Sequence, residues 1–512
     1  MKMTNKATEF VLDALSEPLL RFAHSQLMAD PREGLALFGP LDEGKPHGVR
    51  MGIAGTEQGI KRVTDYVHRL QTPVFSLKAK RNRPVYPGFE AAFGIPWDSK
   101  PYLVAKIDHL KLHTVAHQED KHQRVYDTTT LYADAIIEQR REGEAQVDIW
   151  LVVVPDFVWV NCRPRSMIAK LLRTDTKKAI GLSEAKRRQD EPVFDFAEWR
   201  GDDVAYQYDP DFHHQLKGRL LEKEIATQIV RESTIAWRDV KKSNGKYLHD
   251  LSVLESQIAW NMSSAVFYKS GGKPWNLAAA RKGVCYLGIV FKQLEREKDE
   301  KTACCAAQMF LNSGDGVVFK GDVGPWFNPK RGEFHLDKVA AQQLVSIAIK
   351  SYSLTNGGPP AELFIHGRTY FSDEEWEGFR EAGGENTKVS GIRIALDKDL
   401  RLYHNSKNPV LRGTSFRLDD RKGILWTKGW VPRLQTYPGG EVPVPLRIEV
   451  VRGEADLRVV MEDILALTKL NYNGCQFADG MPVTLRFAEA VGEILISGPR
   501  GAVPPLSFRY YI

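Results

Sequence analysis

Trp150–Pro164, WLVVVPDFVWVNCRP, and Phe212–Ser233, FHHQLKGRLLEKEIATQIVRES, decide the fold of this chain. Ile149–Val154 is an unbroken apolar, β-rich run ended by Pro155, the pattern of a strand buried on both faces of a parallel sheet. Asp211–Glu224 places Phe212, Leu216, Leu220 and Leu221 on one face at helical spacing. Ile225–Val230 then reads as a second strand. A second helix, Leu251 to Tyr268, stops at Gly271-Gly272. Strand, helix, strand, helix is the order of a Rossmann-like α/β domain.

Working outward, the pattern changes at Pro274-Trp275. Gly283–Phe291 (GVCYLGIVF), Cys304–Leu311, Val317–Lys320, Glu362–His366, Ile424–Trp426 and Leu446–Val451 read as strands. The turn Gly314-Asp315-Gly316 separates the second from the third. Helices are expected over Asp337–Tyr352, Glu454–Leu467 and Leu485–Leu495. A mixed sheet crossed by helices follows. The expected division is residues 1–275 and 276–512, consistent with two substantial cores in 512 residues.

Composition narrows the class. Apolar residues make up 43% and charged residues 27%, the balance of a globular protein. The most apolar stretch, Asp148–Val160, is too short and too interrupted to span a bilayer. Lys2, Lys6, Glu9, Asp13 and Glu17 leave no secretory apolar region near the start, so a cytoplasmic protein is expected. Five cysteines with no CxxC pair speak against structural zinc or a disulfide framework. The net charge of +6 is mild. Its distribution is less so: Arg163–Arg188 holds nine Lys or Arg against Asp175 and Glu184, either a solvated loop or a surface that follows phosphates.

His213 and Lys217 lie four residues apart at a predicted helix start, hence on one face. Asp209-Pro210-Asp211 supplies capping chemistry upstream. Unpaired helix N–H groups together with these two donors make a natural anion site. Gln228 falls on the following strand and Lys269 at the end of the second helix. Taken singly, each of these residues would read as ordinary surface.

In combination, the chain resembles the Argonaute family, specifically the short prokaryotic Argonautes built of MID and PIWI domains. The resemblance rests on GLALFGP (Gly34–Pro40), the two segments quoted first, FYKSGGKPW (Phe267–Trp275), LTKLNYNGCQFADGMPVTLRFAEAVGEIL (Leu467–Leu495) and the terminal SFRYYI, in that order. It implies an α/β fold: an N-terminal segment plus a Rossmann-like MID domain in 1–275, then an RNase H-like PIWI domain in 276–512. It implies that His213, Lys217, Gln228 and Lys269 bind the 5′-phosphate of a guide, with Mg²⁺ held there by the carboxylate of Ile512. Where relatives often carry a polar residue, this chain has Ala265.

Slicing relatives cleave with two metal ions held by acidic side chains. Here Val290, His366 and Glu489 fall at the expected positions, with Arg368 following the second. A hydrocarbon and an added cation disfavour metals, so the resemblance implies a binding protein without catalytic residues of its own. Lys320, Lys428, Arg433, Lys469 and Arg486 are candidate backbone contacts, and Asn471 and Asn473 serve either a turn or a sugar contact. The implied partners are a 5′-phosphorylated guide RNA, a single-stranded target DNA and an APAZ-containing effector, a TIR or sirtuin-like NADase in preference to a nuclease. Two readings stay open beside this one: a guided nuclease with another metal set, and an α/β enzyme for small phosphorylated molecules.

Overall fold

The computed structural model describes residues 12–77, 81–163, 204–293, 303–310, 316–320, 326–328, 333–403, 405–437, 441–498 and 506–512. The basic stretch beyond Arg163 and the turn at Gly314-Asp315 lie outside the described residues, as does the side chain of Lys320. Among the described residues no helix is long and apolar enough to cross a membrane.

The first half is built on a four-stranded sheet in the order Leu103–Lys106, Met51–Gly55, Ile149–Val154, Thr227–Arg231. Every pairing in it is parallel. Met51–Gly55 and Ile149–Val154 are buried along their whole length, as their unbroken apolar runs require. Helix Phe212–Leu221 precedes the edge strand, with Phe212, Leu216, Leu220 and Leu221 all buried, as their spacing demands. Helix Glu255–Lys269 follows, within a residue of the expected end. The flanking elements Glu57–Arg69 and Lys121–Glu142 carry little sequence signal beyond amphipathicity.

The second half centres on a ten-stranded mixed sheet. Val284–Gln293 lies in its middle, antiparallel to Ala303–Phe310 and parallel to Glu362–Gly367. Lys388–Leu396 continues the parallel side, then Leu446–Arg452 reverses direction. A strand meander followed by parallel strands is the RNase H-like layout, so the α/β expectation holds in both halves. The two halves are not separate cores, because one apolar cluster runs from Leu15 to Ile512. Two features join them. The strand Asp13–Ala14 pairs with Thr414-Ser415 in the second sheet. At the other end, Leu506-Ser507 adds to the strand Gly316–Lys320, and the aromatic tail turns inward. Phe508, Tyr511 and Ile512 are buried, with the Phe508 ring 4.2 Å from that of Phe487.

Helix Val483–Leu495 crosses the central strand closely enough that a Cβ on Gly288 would overlap the Thr484 carbonyl. Backbone stands against backbone there, with no flexible side chain to give way. Gly288→Ala should therefore cost about 1–3 kcal/mol of stability, the usual range for overpacking. Urea unfolding of the two proteins would measure it.

Candidate phosphate-binding site

Asp211 starts the pocket helix: its carboxylate accepts from the amides of His213 (2.9 Å) and His214 (3.3 Å). The apolar face packs inward, with the Phe212 ring 5.2 Å from that of Tyr132. His213 and Lys217 follow one turn apart on the face turned to strand Thr227–Arg231. Lys217 is only 3% exposed, and its Nζ donates to the Thr227 carbonyl (3.4 Å) and to the main-chain oxygen of Ile512. Lys269, 2% exposed, donates to the same Thr227 carbonyl (3.1 Å) and to Gln228 Oε1 (2.7 Å). Lys217, Gln228, Lys269 and Ile512 thus meet around one carbonyl, although 295 residues separate the first from the last.

The electrostatics of this arrangement are unbalanced. Burial lowers the Lys217 pKa to about 7. Burial, and then the charge of Lys217, holds Lys269 well below the ordinary lysine range. Among the described residues no acidic side chain pairs with either ammonium. Burial likewise depresses His213, followed by the charges of Lys217, His214, Arg163 and Lys269, so its ring is neutral at pH 7. His213 Nδ1 and Thr227 Oγ1 are buried with no hydrogen-bond partner. Two buried cations, two orphaned polar atoms and a helix N-terminus converge on what an anion supplies: negative charge and several acceptor oxygens.

As ligands for Mg²⁺ these residues are a poor set. A hard cation needs several oxygens. The oxygens that converge here, Gln228 Oε1, the Thr227 carbonyl and the Ile512 oxygen, each already accept from a lysine, and Ala265 is a buried methyl. Beside the pocket, Asp211, His213 and His214 bring one ligand atom each within 4.8 Å of one another. Asp211, however, caps the helix and His214 is engaged by Asp209 (3.2 Å) and Glu493 (3.5 Å). The neighbouring Arg163, Lys217 and Lys269 further oppose a cation there.

His214 and Ser497 were not legible as part of this site. Ser497 Oγ donates to the His214 carbonyl (3.0 Å) and the Asp209 amide donates to the Ser497 carbonyl (2.9 Å), tying the end of helix Val483–Leu495 to the pocket helix. No local signal marks such a contact, because it spans 283 residues.

The positions singled out for metal catalysis also come together. Val290 is buried on the central strand, and its neighbour strand places Gly367 beside Ile289. His366 is buried, its Nδ1 lies 2.9 Å from Thr484 Oγ1, and burial lowers its pKa to about 3. Arg368 forms an ion pair with Glu489 at 2.9 Å. The one carboxylate in the set is thus held by an arginine.

The candidate backbone contacts divide. Lys428 and Arg486 are exposed and line one cavity. Arg433 is exposed but paired with Glu33. Lys469 is a correction to the expectation of an exposed lysine: its side chain is fully buried, 2.7 Å from Glu17 and over the Phe477 ring at 4.0 Å, held inside the fold. Asn471 is a turn residue, accepting from the Asn473 amide (3.0 Å) and donating to Asp479 (2.8 Å).

A Rossmann-like sheet is joined to an RNase H-like sheet, and residues 506–512 close a basic pocket between them. Matched against known families, the chain fits no family's sequence profile. It is 24% identical over 289 residues to the argonaute protein of Aquifex aeolicus, which covers 55% of this chain and 36% of that protein. Among solved structures, Clostridium butyricum Argonaute bound to a guide DNA and a 19-mer target DNA superposes with a TM-score of 0.62 at 14% identity. That match covers 96% of this chain and 54% of the other. Drosophila Piwi superposes at 0.55 and 13% identity, over 98% of this chain and 56% of its own. The chain thus spans about half the length of the solved relatives and about a third of the curated one.

The depressed lysines set a pH dependence. The folded pKa of Lys217, about 7, lies below its ordinary value of 10.5, so between them the unfolded chain binds more protons. This contribution to the stability of the ligand-free protein therefore rises with pH from about 7 upward. Lys217→Met should flatten that rise and stabilise the ligand-free chain at neutral pH by about 1–4 kcal/mol. Melting temperatures of both proteins across this pH range would check it.

Proposed function

We propose that this chain binds the 5′-phosphorylated end of a guide strand in the pocket and presents the rest of the strand for pairing with a target. The observation that carries the reading is the pair of buried lysines with no acidic side-chain partner among the described residues, Lys217 in the first half of one helix and Lys269 at the end of another, with His213 Nδ1 orphaned beside them. A terminal phosphate carries nearly two negative charges and has three acceptor oxygens. Lys217 and Lys269 would exchange a shared carbonyl for those oxygens, and His213 Nδ1 would gain a partner. The likeness to a solved Argonaute described with guide and target DNA supports the same role.

The strand is a guide RNA and the target a single-stranded DNA in this proposal, with sequence read by base pairing and the protein holding the duplex by shape and phosphates. The PIWI-type half binds and does not cleave. Val290 offers no ligand, His366 is neutral and bonded to Thr484, and Glu489 is neutralised by Arg368. Two metal ions about 4 Å apart need nearly every carboxylate they can get. The output would then lie in an APAZ-containing effector chain, an NADase of TIR or sirtuin-like type in preference to a nuclease, switched on by guided recognition of invading DNA. That part of the proposal rests on the family resemblance of the segments quoted above.

Lys217→Ala should abolish the preference for 5′-phosphorylated over 5′-hydroxyl guides, measured by fluorescence anisotropy; an unchanged preference would refute the pocket. Because Lys217 must be protonated to grip phosphate, affinity for the phosphorylated guide should fall as pH rises above about 7. The 5′-hydroxyl guide should show no such fall. Guide, target, Mg²⁺ and Mn²⁺ together should yield no cleavage products, and product bands on a denaturing gel would overturn the binding-only reading.

A further inference from the structure

Away from the phosphate pocket, the short helix His109–Val115 and the turn that ends it carry His109, His113 and His117, each four residues from the next. That spacing sets the three rings on one face. All three surround Phe157 of the helix Asp156–Asn161, at centroid distances of 5.8, 5.2 and 5.5 Å. Two of them are closer to each other than to the phenylalanine: His113 and His117 stack at 4.0 Å with their planes 25° apart. His109 stands off, 6.3 Å from His113.

The way the helix ends fixes the His117 ring. The amides of His117 and Gln118 bond back three residues, to the carbonyls of Thr114 and Val115 (3.3 Å each), so the last turn tightens. The His117 amide is thereby diverted from the His113 carbonyl, and His117 Nδ1 donates to that carbonyl instead, at 2.8 Å. A carbonyl only accepts, so Nδ1 carries the proton and Nε2 keeps a bare lone pair. Metal-ligating histidines are generally held in this way, one ring nitrogen donating to a backbone carbonyl and the other left for the ion. The turn itself is pinned. Buried Asn161 donates to the Ala116 carbonyl (3.0 Å) and Arg124 to the Gln118 carbonyl (2.9 Å). His113 is exposed and His117 half-buried, so the pair is open to an ion from solvent.

Packing on Phe157 accounts for flat rings at these positions. It does not account for imidazole twice at the chelating interval of a helix, with one ring already fixed as an Nε2 ligand. Imidazole donors select Zn²⁺ or Cu²⁺ over Mg²⁺ and Ca²⁺, which take oxygen. Among the described residues no third His, Cys, Asp or Glu ligand atom groups with the pair, so water fills the remaining positions.

We propose that His113 and His117 form a two-histidine site for a divalent transition-metal ion, Zn²⁺ or Cu²⁺, bound by His117 Nε2 and a ring nitrogen of His113. The ion bridges the last turn of the helix and the residues that follow it. This site is independent of the guide-binding reading. The test is equilibrium dialysis of the full chain, free of any histidine tag, against Zn²⁺, Cu²⁺ or Mg²⁺. One equivalent of Zn²⁺ or Cu²⁺ should bind at the pair, Cu²⁺ more tightly than Zn²⁺, and Mg²⁺ should not compete. His113→Phe and His117→Phe keep a ring against Phe157 and remove the nitrogens. Either should weaken that equivalent about tenfold or more, and the double variant should lose it. His113→Phe leaves the His117 side chain in place, so loss in that variant reads the ligand and not the turn. Zn²⁺ should raise the melting temperature of the natural chain but not of the double variant, whose metal-free melting temperature checks that it folds. The electron paramagnetic resonance spectrum of bound Cu²⁺ should show coupling to two imidazole nitrogens. His109→Ala should leave the equivalent in place. The same number of equivalents at the same affinity in the double variant would overturn the proposal, as would competition by Mg²⁺. Loss of the equivalent in His109→Ala would overturn its assignment to this pair.

Discussion

Two buried lysines share one carbonyl oxygen at Thr227, and among the described residues no acidic side chain pairs with either. This is an expensive arrangement in a ligand-free protein, since burying a charge without a counter-charge costs several kcal/mol. The fold tolerates it by letting both lysines shed protons easily and by supplying acceptors: Gln228 Oε1, the Thr227 carbonyl and the Ile512 oxygen. The rest of the site follows from that constraint.

The same constraint explains why the two halves are fused through one apolar cluster rather than joined by a linker. The pocket needs a helix and a strand from the first half and the tail of the second. Ile512 arrives only because Leu506-Ser507 adds to the large sheet and Phe508 packs on Phe487. Ser497 then clamps the helix start from the other side.

In the second half, the positions weighed for metal catalysis are held by packing and internal pairing. Val290 and His366 sit inside the core, one against hydrocarbon and the other hydrogen-bonded to Thr484. Arg368 occupies Glu489. These positions are thus neutral or internally compensated, and the helix crossing at Gly288 packs backbone against backbone beside them.

The sequence by itself determined the parallel strand Ile149–Val154, the pocket helix with its Asp cap, the central strand of the second half and the residue types of the pocket. These are short-range properties: unbroken apolar runs, 3.6-residue spacing and capping chemistry act within a few positions, so they are written locally. The burial of Lys217 and Lys269 was not legible, because a lysine in a string reads as surface and only tertiary packing removes its water. Nor was the burial of Lys469, which looked like a strand contact until Glu17, 452 residues away, appeared beside it. The pairing of Arg368 with Glu489 and the Ser497 clamp were decided by the tertiary structure alone. Each joins residues more than a hundred positions apart, and no local pattern records which distant charge a side chain will face.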